Sequence, residues 1–402
     1  MRGQSGTSPK RLRNSGPVPS TRRPLTWMYA APYMRLRCRV TLAVLILSLI
    51  CGTVHAQLWT SFRGDAEQTG VARASLAERL DVLWTFDIDE PIESTATVDA
   101  DRVYFGGLDG TLYALDWRTG KKIWTRDFDD EVKASPTLMD SLVLVGDEMG
   151  AFHALHRETG APLWSFATEG GIQSSASVHV GRAVFGSYDN SLYCVTLATG
   201  ELAWKVETDG YVHATPAIRD GIAFAAGCDG VMRGVEVTTG EERIAIDVRD
   251  YVGSSPGFLG DVAYMGTFGS QVIAVDVEKG ELVWQYTHPV RNFPFYGSPV
   301  VTDEGVYIGG RDKMVHALDP KTGEAVWTYA AGARVDGSPV LVGDRLFVGT
   351  QGGDLIALNR DDGSVVWKFE GGGSFTASPS VAHNRLFIGS DDGVFYCFGA
   401  SE

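Results

Sequence analysis

Lys133, His213 and Asp336 are residue types used for general acid–base catalysis, and each stands at the same place in a chain that repeats itself about every forty residues. An ammonium, an imidazole and a carboxylate would form a proton-transfer set if they met. Equal places in different repeats are spread around or along the array, so these spacings do not bring the three together. His153 and His156 look like a metal pair. On a strand, residues three apart point to opposite faces, so both read as structural. After residue 56 the cysteines are Cys194, Cys228 and Cys397, an odd and scattered set that cannot form a disulfide framework. Arg63-Gly64-Asp65 matches an adhesion tripeptide by chance. No catalytic residue, no metal site and no cofactor is expected.

The elements that position these residues follow from the repeat. A tryptophan recurs at Trp84, Trp124, Trp164 and Trp204, is replaced by Ile244, and returns at Trp284, Trp327 and Trp367, in steps of 40 with a single step of 43. Four residues before each of the last seven positions stands a glycine: Gly120, Gly160, Gly200, Gly240, Gly280, Gly323 and Gly363. Each unit reads as four short strands, for example Ser135 to Leu138, Leu142 to Val145, Ala151 to Leu155 and Pro162 to Phe166. Turn residues separate them, such as Asp109-Gly110 and the run Asp116-Trp117-Arg118-Thr119-Gly120. Second strands such as Val103-Tyr104-Phe105 are apolar without alternation, which means sheets covered on both faces.

Eight first strands can be counted, starting at Thr95, Ser135, Ser175, Thr215, Ser255, Ser298, Ser338 and Ser378. The eighth unit lacks a fourth strand, and Leu83-Trp84-Thr85-Phe86 is a fourth strand with no unit before it. The expected fold is therefore all-β: an eight-bladed β-propeller of four-stranded antiparallel blades, its ring closed by the N-terminal strand. The expected organisation is an export signal with an upstream extension over 1–56, a lead-in segment over 57–82 and the propeller over 83–402.

Residues 1–56 hold nine basic side chains and no acid, and the remainder carries 26 basic against 50 acidic groups, a formal charge of −24. So acidic a body repels phosphate backbones, which excludes non-specific nucleic-acid binding. The apolar run Val40 to Ile50 after Arg35, Arg37 and Arg39, followed by Val54-His55-Ala56, reads as a cleaved signal with no transmembrane span in the mature chain. Met34 is an alternative start. Ser48 and Ile50 disfavour lipid attachment at Cys51. The expected location is the periplasm or the extracellular space, and the expected state a monomer.

Loops between one unit's fourth strand and the next unit's first strand surround a propeller's channel. One column there is apolar in all eight units: Ile92, Val132, Ile172, Val212, Val252, Phe295, Val335 and Phe375. The next column differs in each unit: Glu93, Lys133, Gln173, His213, Gly253, Tyr296, Asp336 and Thr376. A second variable column in the hairpin after the second strand comprises Leu108, Glu148, Tyr188, Cys228, Phe268, Arg311, Gln351 and Asp391. The connection from Thr287 to Tyr296 holds the three-residue insertion and includes Arg291 and Phe293. The expected ligand- or partner-binding residues are Glu93, Lys133, Gln173, His213, Tyr296, Asp336, Thr376, Arg291, Phe293 and Arg311.

The stretch from Asp109 to Gly120 with Trp124, and that from His316 to Gly323 with Trp327, resemble the pyrroloquinoline-quinone-type propeller repeat. This family is shared by quinoprotein alcohol dehydrogenases and BamB-like outer-membrane assembly proteins. The resemblance covers about residues 83–398 and constrains fold more than function. A quinoprotein of this kind would need an adjacent cysteine pair, a tryptophan floor, calcium ligands and an aspartate base. This sequence has no Cys-Cys pair and no Cys-x-x-Cys-His haem site. The resemblance thus implies a non-catalytic protein-interaction scaffold with protein partners in the cell envelope. The alternatives are a small-ligand or carbohydrate binder and, less favoured, a quinone-dependent dehydrogenase.

Overall fold

The structure, a computed structural model, describes residues 58–401. The export signal, Cys51 and the choice of start codon lie outside the described residues. Eight antiparallel blades of four strands follow one another, and the sheet of one of them gains a short parallel fifth strand, Val71–Ala72. Blade 1 is Thr97–Val98, Arg102–Gly106, Thr111–Asp116 and Lys122–Asp127, and blade 2 is Thr137–Met139, Leu142–Gly146, Ala151–His156 and Pro162–Ala167. Blade 8 combines Ser380–Ala382, Arg385–Gly389 and Val394–Gly399 with Asp81–Asp87, which pairs Thr85 with Tyr396 and Phe86 with Phe395. The described chain is an eight-bladed β-propeller whose ring is closed by its N-terminal strand. Its apolar second strands are buried on both faces, and aromatic rings bridge neighbouring blades, as Phe152 on Phe185 with centroids 4.0 Å apart.

The tryptophan and glycine columns meet between blades. Trp84 Nε1 donates to Trp117 O at 3.1 Å, Trp124 to Arg157 O at 3.0 Å and Trp164 to Leu197 O at 2.9 Å, each crossing to the next blade's last turn. The indole lies against the glycine there. A Cβ on Gly120 would come 2.6 Å from the Trp84 ring, and φ at Gly120 is +70°. Gly280 follows the blade in which Ile244 replaces the tryptophan, and a Cβ there would meet nothing within 4 Å. The eight outer strands also share a bulge that the sequence reading does not foresee, for example between Pro162 and Trp164. Bulges twist these exposed edges away from flat pairing with other chains.

The lead-in segment lies across the inner edges of the first strands. Its carbonyls at Thr60, Ala66, Glu67, Thr69 and Gly70 accept from the N–H groups of Leu138, Ile218, Phe258, Val301 and Leu341 at 2.7–3.0 Å. Trp59 bridges Val98, and Val71–Ala72 pairs in parallel with Val340–Val342. First-strand N–H groups facing a channel would otherwise need water, so the segment satisfies them while filling the channel. Arg63 is 1% exposed and donates to the carbonyls of Pro299 (2.7 Å) and Pro339. Burial lowers its pKa to about 9 against the opposing pull of Asp65. The Arg63-Gly64-Asp65 tripeptide is thus a structural turn with its guanidinium sealed inside.

Candidate functional site: the mouth of the central channel

The chain enters each blade along the axis. In blade 1, Glu93 stands at the mouth, Thr95 one layer in, and Val98 at the level of the lead-in segment. The apolar column at the start of each blade is core, with all eight members at most 2% exposed. That anchoring fixes the following residue toward the axis. All eight members of the variable column, Glu93, Lys133, Gln173, His213, Gly253, Tyr296, Asp336 and Thr376, line one cavity of about 440 Å³ together with Arg311. Phe62 lines it too, and its segment closes the deep end, so the channel is a cup. Arg291 and Phe293 are exposed and lie outside this lining, although Arg291 reaches Asp312 O at 2.5 Å.

Beneath the mouth runs a ring of hydroxyls that sequence reasoning took only as strand starts: Thr95, Ser135, Ser175, Thr215, Ser255, Ser298, Ser338 and Ser378, each 3–6% exposed. Seven of these residues donate their backbone N–H to the next blade's hydroxyl at 2.9–3.1 Å. The regular Ser/Thr step was the signal for this ring.

The second variable column folds over the first and supplies partners to Lys133, Gln173, His213, Tyr296, Asp336 and Thr376. Arg311 holds Asp336 through two bonds at 2.9 and 3.1 Å and stacks 3.7 Å above the Tyr296 ring. Tyr188 OH lies 2.7 Å from both Gln173 Oε1 and His213 Nδ1, and its ring stacks on Tyr211 at 5.0 Å. Burial pushes the His213 pKa down, favouring the neutral ring. One O–H serves one acceptor, so with Tyr188 donating to Gln173, His213 Nδ1–H donates to Tyr188. Thr376 accepts from Gln351 at 2.8 Å and donates to Asp391 at 2.9 Å. Lys133 Nζ sits 2.7 Å from Glu131 and 3.8 Å from Glu148. Burial raises the pKa of Glu93, Glu148 and Asp391, against the pull of Lys133 at the two glutamates and of the Thr376 hydrogen bond at Asp391.

Lys133, His213 and Asp336 therefore do not form a relay, since each is engaged with different neighbours. His153 bonds Asp147 at 2.7 Å, and His156 Nδ1 accepts a turn N–H at 3.3 Å. The cup's lining contains no cysteine and no tryptophan, so its residues do not fit the quinone clamp outlined above.

The family profile described as outer membrane protein assembly factor BamB matches residues 69–179, 148–310 and 311–402. The chain belongs to this BamB family. Among solved structures, BamB from Moraxella catarrhalis is 19% identical, with 81% of this chain and 98% of that one covered and a TM-score of 0.69. The computationally designed Ika8 protein is 17% identical over 78% of this chain and 98% of its own, also at 0.69. The quinohemoprotein alcohol dehydrogenase from Comamonas testosteroni is 13% identical over 86% and 81%, at 0.73. These likenesses show the propeller. No curated protein matches the chain by sequence.

Proposed function

We propose that this chain is an exported, non-catalytic scaffold that engages protein partners in the assembly of outer membrane proteins. Membership of the BamB family over residues 69–402 carries the reading. The channel face supports it, because there the eight repeats diverge and present Glu93, Lys133, Gln173, His213, Tyr296, Arg311, Asp336 and Thr376. Arg291 and Phe293 extend that surface on the insertion, where Val290 is 87% exposed and Phe293 50%. The acidic charge of the body favours a basic or neutral partner. A photo-crosslinker placed at Val290 or Phe293 in living cells tests the proposal. Capture of an outer-membrane assembly component supports it; small-molecule adducts alone, or an unexported chain in fractionated cells, count against it.

A second reading, a small-ligand or carbohydrate binder, draws support from the 440 Å³ cup with its hydroxyl ring. Calorimetric titration with oligosaccharides tests it. A dehydrogenase is disfavoured by the lining residues, and dye reduction with alcohols after incubation with calcium and the quinone would overturn that view.

A further inference from the structure

The eight hydroxyls of the inner ring are over nine-tenths buried and line the cup. Seven of them accept an N–H from the preceding blade, and among the described residues none of the eight donates its own proton to a protein acceptor. A ring of convergent O–H donors without acceptors calls for an acceptor-rich occupant. The mouth above it has the opposite need. Glu93, Glu131 and Glu148 share a single ammonium, Lys133, and Asp391 adds its charge beside Glu93. Glu148 Oε1 and Asp391 Oδ1 are buried without a hydrogen-bond partner. Arg311 is committed to Asp336 and does not relieve this excess. Tyr296 lines the cup with Phe268 packed on its ring, and Tyr188, bonded to the lining residues Gln173 and His213, stacks on the exposed ring of Tyr211.

A free anion would satisfy the hydroxyls but must pass the carboxylates. A neutral saccharide would satisfy them and leave the carboxylates uncompensated. A polypeptide with a basic side chain meets both demands, its carbonyls accepting from the ring and its cation replacing the missing counter-charge. Because Phe62 and the lead-in segment close the deep end, the occupant enters and leaves by one mouth. That geometry suits a chain end or hairpin tip and excludes a strand threaded through. We propose that the channel mouth receives a basic chain end or loop tip of a protein partner, bound through its main-chain carbonyls and one lysine or arginine side chain. This rests on the scaffold reading and names what the partner presents.

The test is fluorescence anisotropy of the full chain with a labelled Ala-Arg-Ala-Gly amide, its Ala-Glu-Ala-Gly counterpart, and maltotriose as competitor. The arginine peptide is expected to bind, to weaken about tenfold in the double variant Glu93→Gln, Asp391→Asn, and to weaken with salt. Circular dichroism establishes that the variant is folded, and Arg243→Gln on an outer strand serves as a charge control expected to leave binding unchanged. No binding by the arginine peptide, equal binding by the glutamate peptide, displacement by maltotriose, or an unaltered double variant would each overturn the proposal. In cells, unchanged crosslinking from Val290 in the double variant overturns the peptide cup and leaves the scaffold standing. Loss of every protein crosslink in the unmodified chain overturns the scaffold itself.

Discussion

Trp367 Nε1 donates to the carbonyl of Leu80 at 3.0 Å, joining residues 287 positions apart in the chain. Elsewhere the indole reaches a turn that covalently joins the third and fourth strands of the next blade. At Leu80 that turn is absent, because the fourth strand of blade 8 comes from the other end of the domain. Trp367→Phe keeps an aromatic ring at the seam and removes the donor, at an expected cost of about 1 kcal/mol. Hydrogen exchange should then quicken in Asp81–Asp87 more than in Lys122–Asp127. Unchanged protection of Asp81–Asp87 would show that the bond does not hold the seam.

Gly120→Ala and Gly280→Ala separate two effects that one glycine column combines. At both sites φ is near +70°, which costs a side chain about 1–2 kcal/mol. Only Gly120 also abuts an indole, so its substitution should cost a further ~1–3 kcal/mol from overpacking. Urea unfolding of the two variants measures the gap, and equal losses would refute the packing role of Trp84.

Ser338→Ala removes the acceptor of the Ser298 N–H, which is then buried without a partner. The expected loss is about 1–3 kcal/mol in chemical denaturation, with the fold retained by circular dichroism. Unaltered stability would mean that the hydroxyl ring does not tie the blades together.

Arg63→Met strips the donors from Pro299 O and Pro339 O while sparing the side chain's bulk. A lowered midpoint is expected because two buried carbonyls lose their partners. Lysine should rescue poorly, since one ammonium cannot reproduce the planar fork that reaches both. Full recovery in Arg63→Lys would argue that charge alone matters there.

The raised pKa values of Glu93 and Asp391 set a pH signature. A carboxyl whose folded pKa lies above its unfolded value contributes stability below the unfolded pKa and loses it as pH rises through the folded one. Relative to the native chain, Glu93→Gln, Asp391→Asn should therefore melt higher at pH 7, by roughly 1–3 °C, and the advantage should vanish in acid. Melting curves from pH 7 to pH 4 decide this. A double variant less stable at neutral pH would show that the mouth carboxylates hold the fold instead of taxing it.

Much of this molecule is legible in order along the chain. The forty-residue step of tryptophan and glycine, the unbroken apolar second strands and the orphan strand at Leu83 to Phe86 encode eight blades and their closure, because every blade makes the same contacts with its neighbour. The columns of Glu93 and Leu108 were also readable as mouth positions, since a repeat fold turns equal sequence places into one ring. What each mouth residue does there was decided only in three dimensions. Arg311 meets Asp336 and Tyr188 meets His213 across adjacent units at the 25-residue offset that Gln351 and Thr376 also keep, while Thr376 meets Asp391 within one unit; the offset repeats, but the chemistry that fills it differs from blade to blade. The cup itself depends on Arg63 and Phe62 reaching carbonyls and space more than two hundred residues away. A contact made once, between a non-repeating segment and the axis, has no second copy in the sequence to reveal it.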